Sequence, residues 1–116
     1  MATLEDWSAT DTKVLQVLAN VLASQNREAK AADLLEFALE REPENTELLK
    51  ALCGVYLLLE NYLAALEMAE RYLASGHNGA DRAGVLLVKG QALWGLGQEP
   101  EAVATIRDYL SLKHEQ

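Results

Sequence analysis

The stretch Leu48–Leu59, followed after Glu60-Asn61 by Tyr62–Leu73, leaves this chain few ways to fold. Leu49, Leu52, Cys53, Tyr56 and Leu59 recur at the spacing of one helix face. Tyr62, Ala65, Leu66, Ala69 and Leu73 repeat that face on a second helix. Two such helices joined by a two-residue turn fold back as an antiparallel hairpin. Leu57, Leu58 and Leu59, however, make the first helix apolar nearly all round, which one partner cannot cover. It needs helices before and after it, and its remaining side is the natural place for a ligand.

The flanking sequence supplies those helices. Asp11 or Thr12 is placed to cap a first helix carrying Val14, Leu15, Leu18 and Leu22 inward and ending about Ser24-Gln25-Asn26. A second runs from about Arg27 to Arg41, with Ala31, Leu34, Leu35, Ala38 and Leu39 on its inner face, until Pro43 stops it. After the central pair, Gly76-His77-Asn78-Gly79 breaks the chain and Asp81 can cap a fifth helix to about Leu96. Gly97-Gln98 turns, and Glu99-Pro100-Glu101 opens the sixth, because proline and acids suit a first turn. Its apolar side is Ala102, Val103, Ile106, Tyr109, Leu110 and Leu112. The expectation is all-α: six helices in three hairpins, with residues 1–10 as a leading segment that either caps the array or stays mobile. Residues 11–116 then form one domain with units of about 11–44, 45–79 and 80–116.

Composition narrows the function. Half of the 116 residues are hydrophobic, mostly Ala and Leu, which favours helices over sheet. Acids outnumber bases 18 to 10, and neither end of the chain holds a basic excess, which argues against a nucleic-acid partner. Cys53 is the sole cysteine, so no internal disulfide exists, and its place on the packed face marks a buried small residue. The acidic start shows no secretory leader, and the longest apolar run, Val55–Leu59, is too short to span a bilayer.

No catalytic, metal or cofactor set emerges. His77 lies in a turn and His114 at the tail, each without a ligand partner at helical spacing. Gly95-Leu96-Gly97 ends a helix instead of opening one onto a phosphate. Glu67 and Glu70 around Arg71 form a solvated face, not an acid–base pair. An enzyme is not expected.

Self-similarity is the most specific signal. Leu15, Leu18, Ala19 and Leu22, then Ala31, Leu35, Ala38 and Pro43, correspond to Leu49, Leu52, Cys53 and Tyr56, then Ala65, Ala69 and Tyr72. A third set is Leu86, Lys89, Gly90 and Leu93, then Ala102, Ile106 and Tyr109, with Lys89 departing from the expected Leu. This resembles the tetratricopeptide repeat, a roughly 34-residue helix pair with small residues where helices approach closely. The resemblance implies three such hairpins in a right-handed superhelical array. The chain's size, Ala31-Ala32-Asp33-Leu34-Leu35 with Glu42-Pro43-Glu44, and the ending Arg107-Asp108-Tyr109-Leu110-Ser111-Leu112-Lys113-His114 also resemble the small YscY-type (SctY) chaperones of bacterial type III secretion.

That narrower resemblance implies a bacterial cytoplasmic chaperone. Its partner would be a small secreted export component of the YscX type or a hydrophobic translocator segment, with no membrane insertion, and a homodimer is possible when the partner is absent. A generic scaffold or oligomerisation module is the alternative. In such arrays the first helix of each pair lines a concave groove. The repeat's groove positions fall on Lys13, Gln16, Asn20 and Ala23, on Glu47, Lys50, Gly54, Leu57 and Leu58, and on Leu87, Gln91 and Trp94. Of these, Gln16, Asn20, Lys50, Gly54, Leu57, Leu58, Leu87, Gln91 and Trp94 are the candidate partner-binding residues. Some tetratricopeptide proteins clamp a terminal carboxylate with paired Asn and Lys/Arg; here Gly54, Leu87 and Gln91 stand where three of those groups belong, which disfavours that use.

Overall fold

The computed structural model describes residues 7–76 and 80–114, all of it helix and short turns. The helices are α1 (Ala9–Ser24), α2 (Glu28–Arg41), α3 (Thr46–Leu58), α4 (Tyr62–Ala74), α5 (Ala80–Gly95) and α6 (Glu99–His114). They pair as α1–α2, α3–α4 and α5–α6; α2 packs on α3, α4 on α5, and α3 also meets α5. The array measures 50 × 27 × 20 Å.

The three intra-pair turns share one construction. Asn26, Glu60 and Gly97 are left-handed, with φ of 61°, 59° and 78°. The next amide reaches back over the turn each time: Arg27 N to Leu22 O, Asn61 N to Tyr56 O and Gln98 N to Leu93 O, all at 2.9 Å. This is the six-residue closure that satisfies the last carbonyls of a helix. The left-handed residues are spaced 60 − 26 = 34 and 97 − 60 = 37, matching the steps Ala31 to Ala65 and Ala65 to Ala102. Repetition in sequence is thus repetition of a backbone turn as well as of packing.

Helix starts are fixed by side-chain oxygens. Asn45 accepts from Glu47 N and Leu48 N at 3.0 and 3.2 Å, and Asn61 accepts from Ala64 N at 3.3 Å. At α1 the sequence reading needs correction. The cap is Ser8, not Asp11 or Thr12, and Asp11 completes a capping box by accepting from Ser8 N at 2.9 Å. Thr12 is instead buried, its hydroxyl bonded to Glu42 and accepting from Trp7 Nε1 at 2.9 Å. Residues 1–6 and 77–79, with the tail after His114, lie outside the described residues, so most of the expected leading segment, His77 and the Asn78-Gly79 break fall there too.

The core runs through the middle of the array. Leu48, Leu52, Ala31, Ala38, Ala65, Ala69, Ala92 and Ala102 have no exposure at all. Tyr72 is buried where the first pair has Ala38, a large ring filling the space between successive hairpins. Val14 and Leu18 do not face inward as expected. They are 58% and 45% exposed, and the inner face of α1 is Thr12, Leu15, Ala19 and Leu22. At the other end Val103 and Leu110 of α6 are exposed while Ile106, Tyr109 and Leu112 are half-buried. Both outer helices therefore keep apolar side chains that no neighbouring helix covers.

Candidate functional site

Helices α1, α3 and α5 run in the same direction, each the first of its pair. The register between α3 and α5 is marked at both ends. Lys50 Nζ, in the second turn of α3, pairs with Asp81 Oδ2 in the first turn of α5 at 3.1 Å. Tyr62, the first residue of α4 after the turn from α3, lies against Gly95 at the end of α5, so close that a Cβ there would come within 2.7 Å of its ring carbons. The exposed sides of these parallel helices are the candidate groove.

Its two ends differ chemically. Toward the helix starts it is polar. Gln16, Asn20, Glu47, Lys50 and Ala51 line an open cavity of about 410 Å³, and Gln16 Nε2 donates to Glu47 Oε2 at 3.4 Å. The adjoining hollow of about 460 Å³ adds Lys13, Glu42 and Glu44. Toward the helix ends it is apolar. Leu58 is 66% and Trp94 56% exposed, with Leu57 and Leu87 half-buried. Gln91 is exposed, and Gly54 has no atom within 4 Å of where a side chain would begin. Leu58 and Trp94 are thus not consumed by packing between units.

Another hollow, about 740 Å³ beside Pro43, Glu44, Leu49 and Arg71, is a different kind of place. Arg71 reaches across it to donate to Pro43 O at 2.9 Å, tying α4 to the preceding loop. It reads as a braced junction between pairs.

One group was placed differently by sequence reading. Asp81 was expected as the cap of α5, yet it sits inside the first turn and holds Lys50 across the groove. The signal was present: opposite charges near the starts of two parallel helices. Cys53, on the wall behind Lys50, is 1% exposed, and its thiol lies 3.0 Å from the Lys50 carbonyl as donor. Burial pushes it up to about 11, against which the Gly54 amide and the Lys50 charge only partly work. It is an inert wall group at neutral pH. Tyr56, on the same helix, bonds through its hydroxyl to Glu36 and is raised by burial first and that carboxylate second. Neither offers a nucleophile. Among the described residues no three His, Cys, Asp or Glu side chains group as metal ligands, and no helix is long and apolar enough to cross a membrane.

A groove of this kind on stacked helix pairs defines the tetratricopeptide-repeat fold, and solved structures bear that out. The chain superposes on MamA from MSR-1 with a TM-score of 0.80 at 23% identity, over 97% of this chain and 65% of that one. It thus spans about two thirds of the MamA chain. The globular C-terminal domain of LpoP from P. aeruginosa gives 0.79 at 21% identity, over 89% and 98% of the two chains. The first tetratricopeptide domain of Spaghetti (RPAP3), solved with the HSP90 peptide SRMEEVD, gives 0.80 at 19% identity, over 94% and 84%. At these identities the likeness is one of fold. No protein-family model and no curated protein sequence matches the chain.

Proposed function

We propose that the chain is a binding module that takes an apolar polypeptide segment in its concave groove, seated at the helix ends on Leu57, Leu58, Leu87 and Trp94. The observation that carries this reading is the joint exposure of Leu58 and Trp94, beside a glycine that leaves the backbone bare. A large rigid ring loses little entropy on binding and supplies roughly 2 kcal/mol or more at an interface centre. Gly54 lets a ligand main chain approach where any Cβ would hold it off. Gln16, Asn20, Lys50 and Gln91 then offer polar groups to the rest of the segment.

The sequence resemblance carries the reading one step further. A small secretion component that is unstable alone would be held in the bacterial cytoplasm by such a groove and released at the export machinery, as in the YscY-type chaperones. A scaffold joining larger assemblies through the same groove is the alternative. An acidic peptide of the kind bound by the RPAP3 domain fits less well, because Lys50 is already paired with Asp81 and Glu42, Glu44 and Glu47 line the polar end.

The test uses peptides selected from a random display library against the whole chain. Apolar sequences are expected, with binding abolished by Leu58→Glu and weakened at least tenfold by Trp94→Ala, while the melting temperature of the free protein stays put. Selected sequences that bind both variants as tightly as the parent would refute the groove. Loss of the fold together with binding would return these residues to the core.

A further inference from the structure

The polar end of the groove carries a charge that its own side chains leave standing. Glu42, Glu44 and Glu47 line the hollow of about 460 Å³ there, and Glu47 also lines the neighbouring one of about 410 Å³. Two bases share these hollows, Lys13 and Lys50. Lys50 is held by Asp81 at 3.1 Å, and none of the three glutamates forms an ion pair among the described residues. Glu47 accepts from a neutral amide, Gln16 Nε2, at 3.4 Å. Glu42 accepts from Trp7 Nε1 at 3.2 Å, from Asn45 Nδ2 at 3.4 Å and from the Thr12 hydroxyl. Neutral donors satisfy carboxylate oxygens without cancelling their charge. The hollow therefore keeps a negative field directed into the groove.

An acidic rim alone is a solvated surface; here it lies on one line with the apolar seat. The groove positions of α3 are Glu47, Lys50, Gly54, Leu57 and Leu58, in that order. Glu47 to Leu58 is 58 − 47 = 11 residues, which at 1.5 Å each is about 17 Å. An extended polypeptide rises about 3.3 Å per residue, so about five residues span that length. The middle of the line admits an extended main chain, because Gly54 leaves the helix backbone bare there.

From this we infer that the groove's partner is a two-part segment: an apolar block seated on Leu58 and Trp94, and an arginine or lysine about five residues away, set against Glu44 and Glu47. The inference rests on the groove reading above and adds the chemistry that decides which apolar segments are taken. Charge complementarity selects this occupant. A neutral flank gains nothing from unpaired carboxylates, and an acidic one is repelled by them. Glu42 stays out of the contact, since its oxygens already serve Trp7, Thr12 and Asn45. With a net charge of −8 the chain also draws a basic segment in from solution.

Fluorescence anisotropy with synthetic peptides tests this on the whole chain. The probe is the display-selected apolar sequence between serine flanks. Its variants carry one arginine at about five residues from the apolar block, or nearer, or farther, on either side. Arginine at about five residues on one side should bind ~5-fold tighter than serine at low salt, the gain of one good exposed ion pair. Glutamate at that place should weaken binding, and the arginine gain should shrink as salt is raised to ~0.5 M. Combining Glu44→Gln with Glu47→Gln should remove the gain and leave the serine-flanked peptide bound as before. An arginine that gains nothing at any spacing overturns the inference. So does an equal gain at every spacing, which is attraction to net charge alone, and so does a gain that survives the double variant. The groove reading fails separately: a serine-flanked peptide that binds Leu58→Glu as tightly as the parent removes it, and this inference with it.

Discussion

Helices α1 and α3 hold the same place in successive pairs, yet they live in different surroundings. In α3, Leu48, Leu49, Leu52 and Cys53 are all 3% exposed or less, while in α1 only Thr12 and Ala19 are buried. Both helices carry nine apolar residues, three each of Val, Leu and Ala in α1 and five Leu among those of α3. What differs is the number of neighbours. Helix α3 is clasped by α2, α4 and α5, whereas α1 packs chiefly against α2. In a repeat array, position in the stack decides how much an apolar side chain contributes to stability.

That contrast is sharpest in core truncations. Leu52→Ala should cost about 3 kcal/mol, because a fully enclosed side chain leaves a cavity behind. Leu18→Ala, its counterpart in the first pair, should cost no more than about 0.5 kcal/mol in the monomer. Urea unfolding of both variants checks the difference, and equal losses would mean that α1 is as well covered as α3.

Cys53 and Ala19 are the next matched pair. The unfolded thiol ionises near 9.0 and the buried one at about 11. Because the folded value is raised, the contribution is fully present below pH 9 and is lost as pH climbs through 11, on the order of 2 kcal/mol. Cys53→Ala, which gives α3 the residue of α1, should flatten that decline between pH 9 and 10. Tyr56 and Tyr72, both raised chiefly by burial, should leave part of the slope at higher pH. An unchanged profile in the variant would show that the thiol is not buried in solution.

Glycines divide in a similar way. A Cβ at Gly95 would strike the Tyr62 ring at 2.7 Å, and one at Gly54 would meet nothing. Gly95→Ala should therefore destabilise by ~1–2 kcal/mol, as overpacking does. Gly54→Ala should stabilise by up to ~1 kcal/mol, as removal of helical glycine does, while reducing affinity for any groove ligand. Thermal melts and peptide titration read the two effects apart. The smallest effect belongs to the turns. Glu60 adopts a left-handed conformation that Gly97 takes without strain, so Glu60→Gly should raise stability by roughly 0.5 kcal/mol.

Much of this was written in the sequence. Breakers and helical periodicity marked six helices, and small residues at 34- and 37-residue steps marked their pairing. Periodicity does not report which side of an end helix is covered, and so Val14 and Leu18 were read as inward when they face out. The start of α1 was misread because Ser8 and Asp11 both have short oxygens, and only the reciprocal bond between them separates cap from third residue. Asp81 misled for a related reason: an acid near a helix start serves equally as a cap or as a partner for a distant lysine. The groove residues were legible as positions in a repeat. The groove's division into polar and apolar parts was legible too, since the groove positions of the first unit are Lys13, Gln16 and Asn20 and those of the later units bring Leu57, Leu58, Leu87 and Trp94.

The central claim is that the apolar end of the groove receives a polypeptide, and the two tryptophans test it most directly. Trp94 is exposed near the end of α5 and is the proposed anchor, and Trp7 packs edge-on against Phe37 at 5.8 Å near the start of α1. Fluorine NMR of the 5-fluorotryptophan-labelled chain, with resonances assigned by Trp94→Phe, follows both sites while a library-selected apolar peptide is added. The account predicts a saturable shift of the Trp94 resonance with Trp7 unmoved, and no shift at either site in Leu58→Glu. A peptide that binds while the Trp94 resonance stays fixed would contradict it.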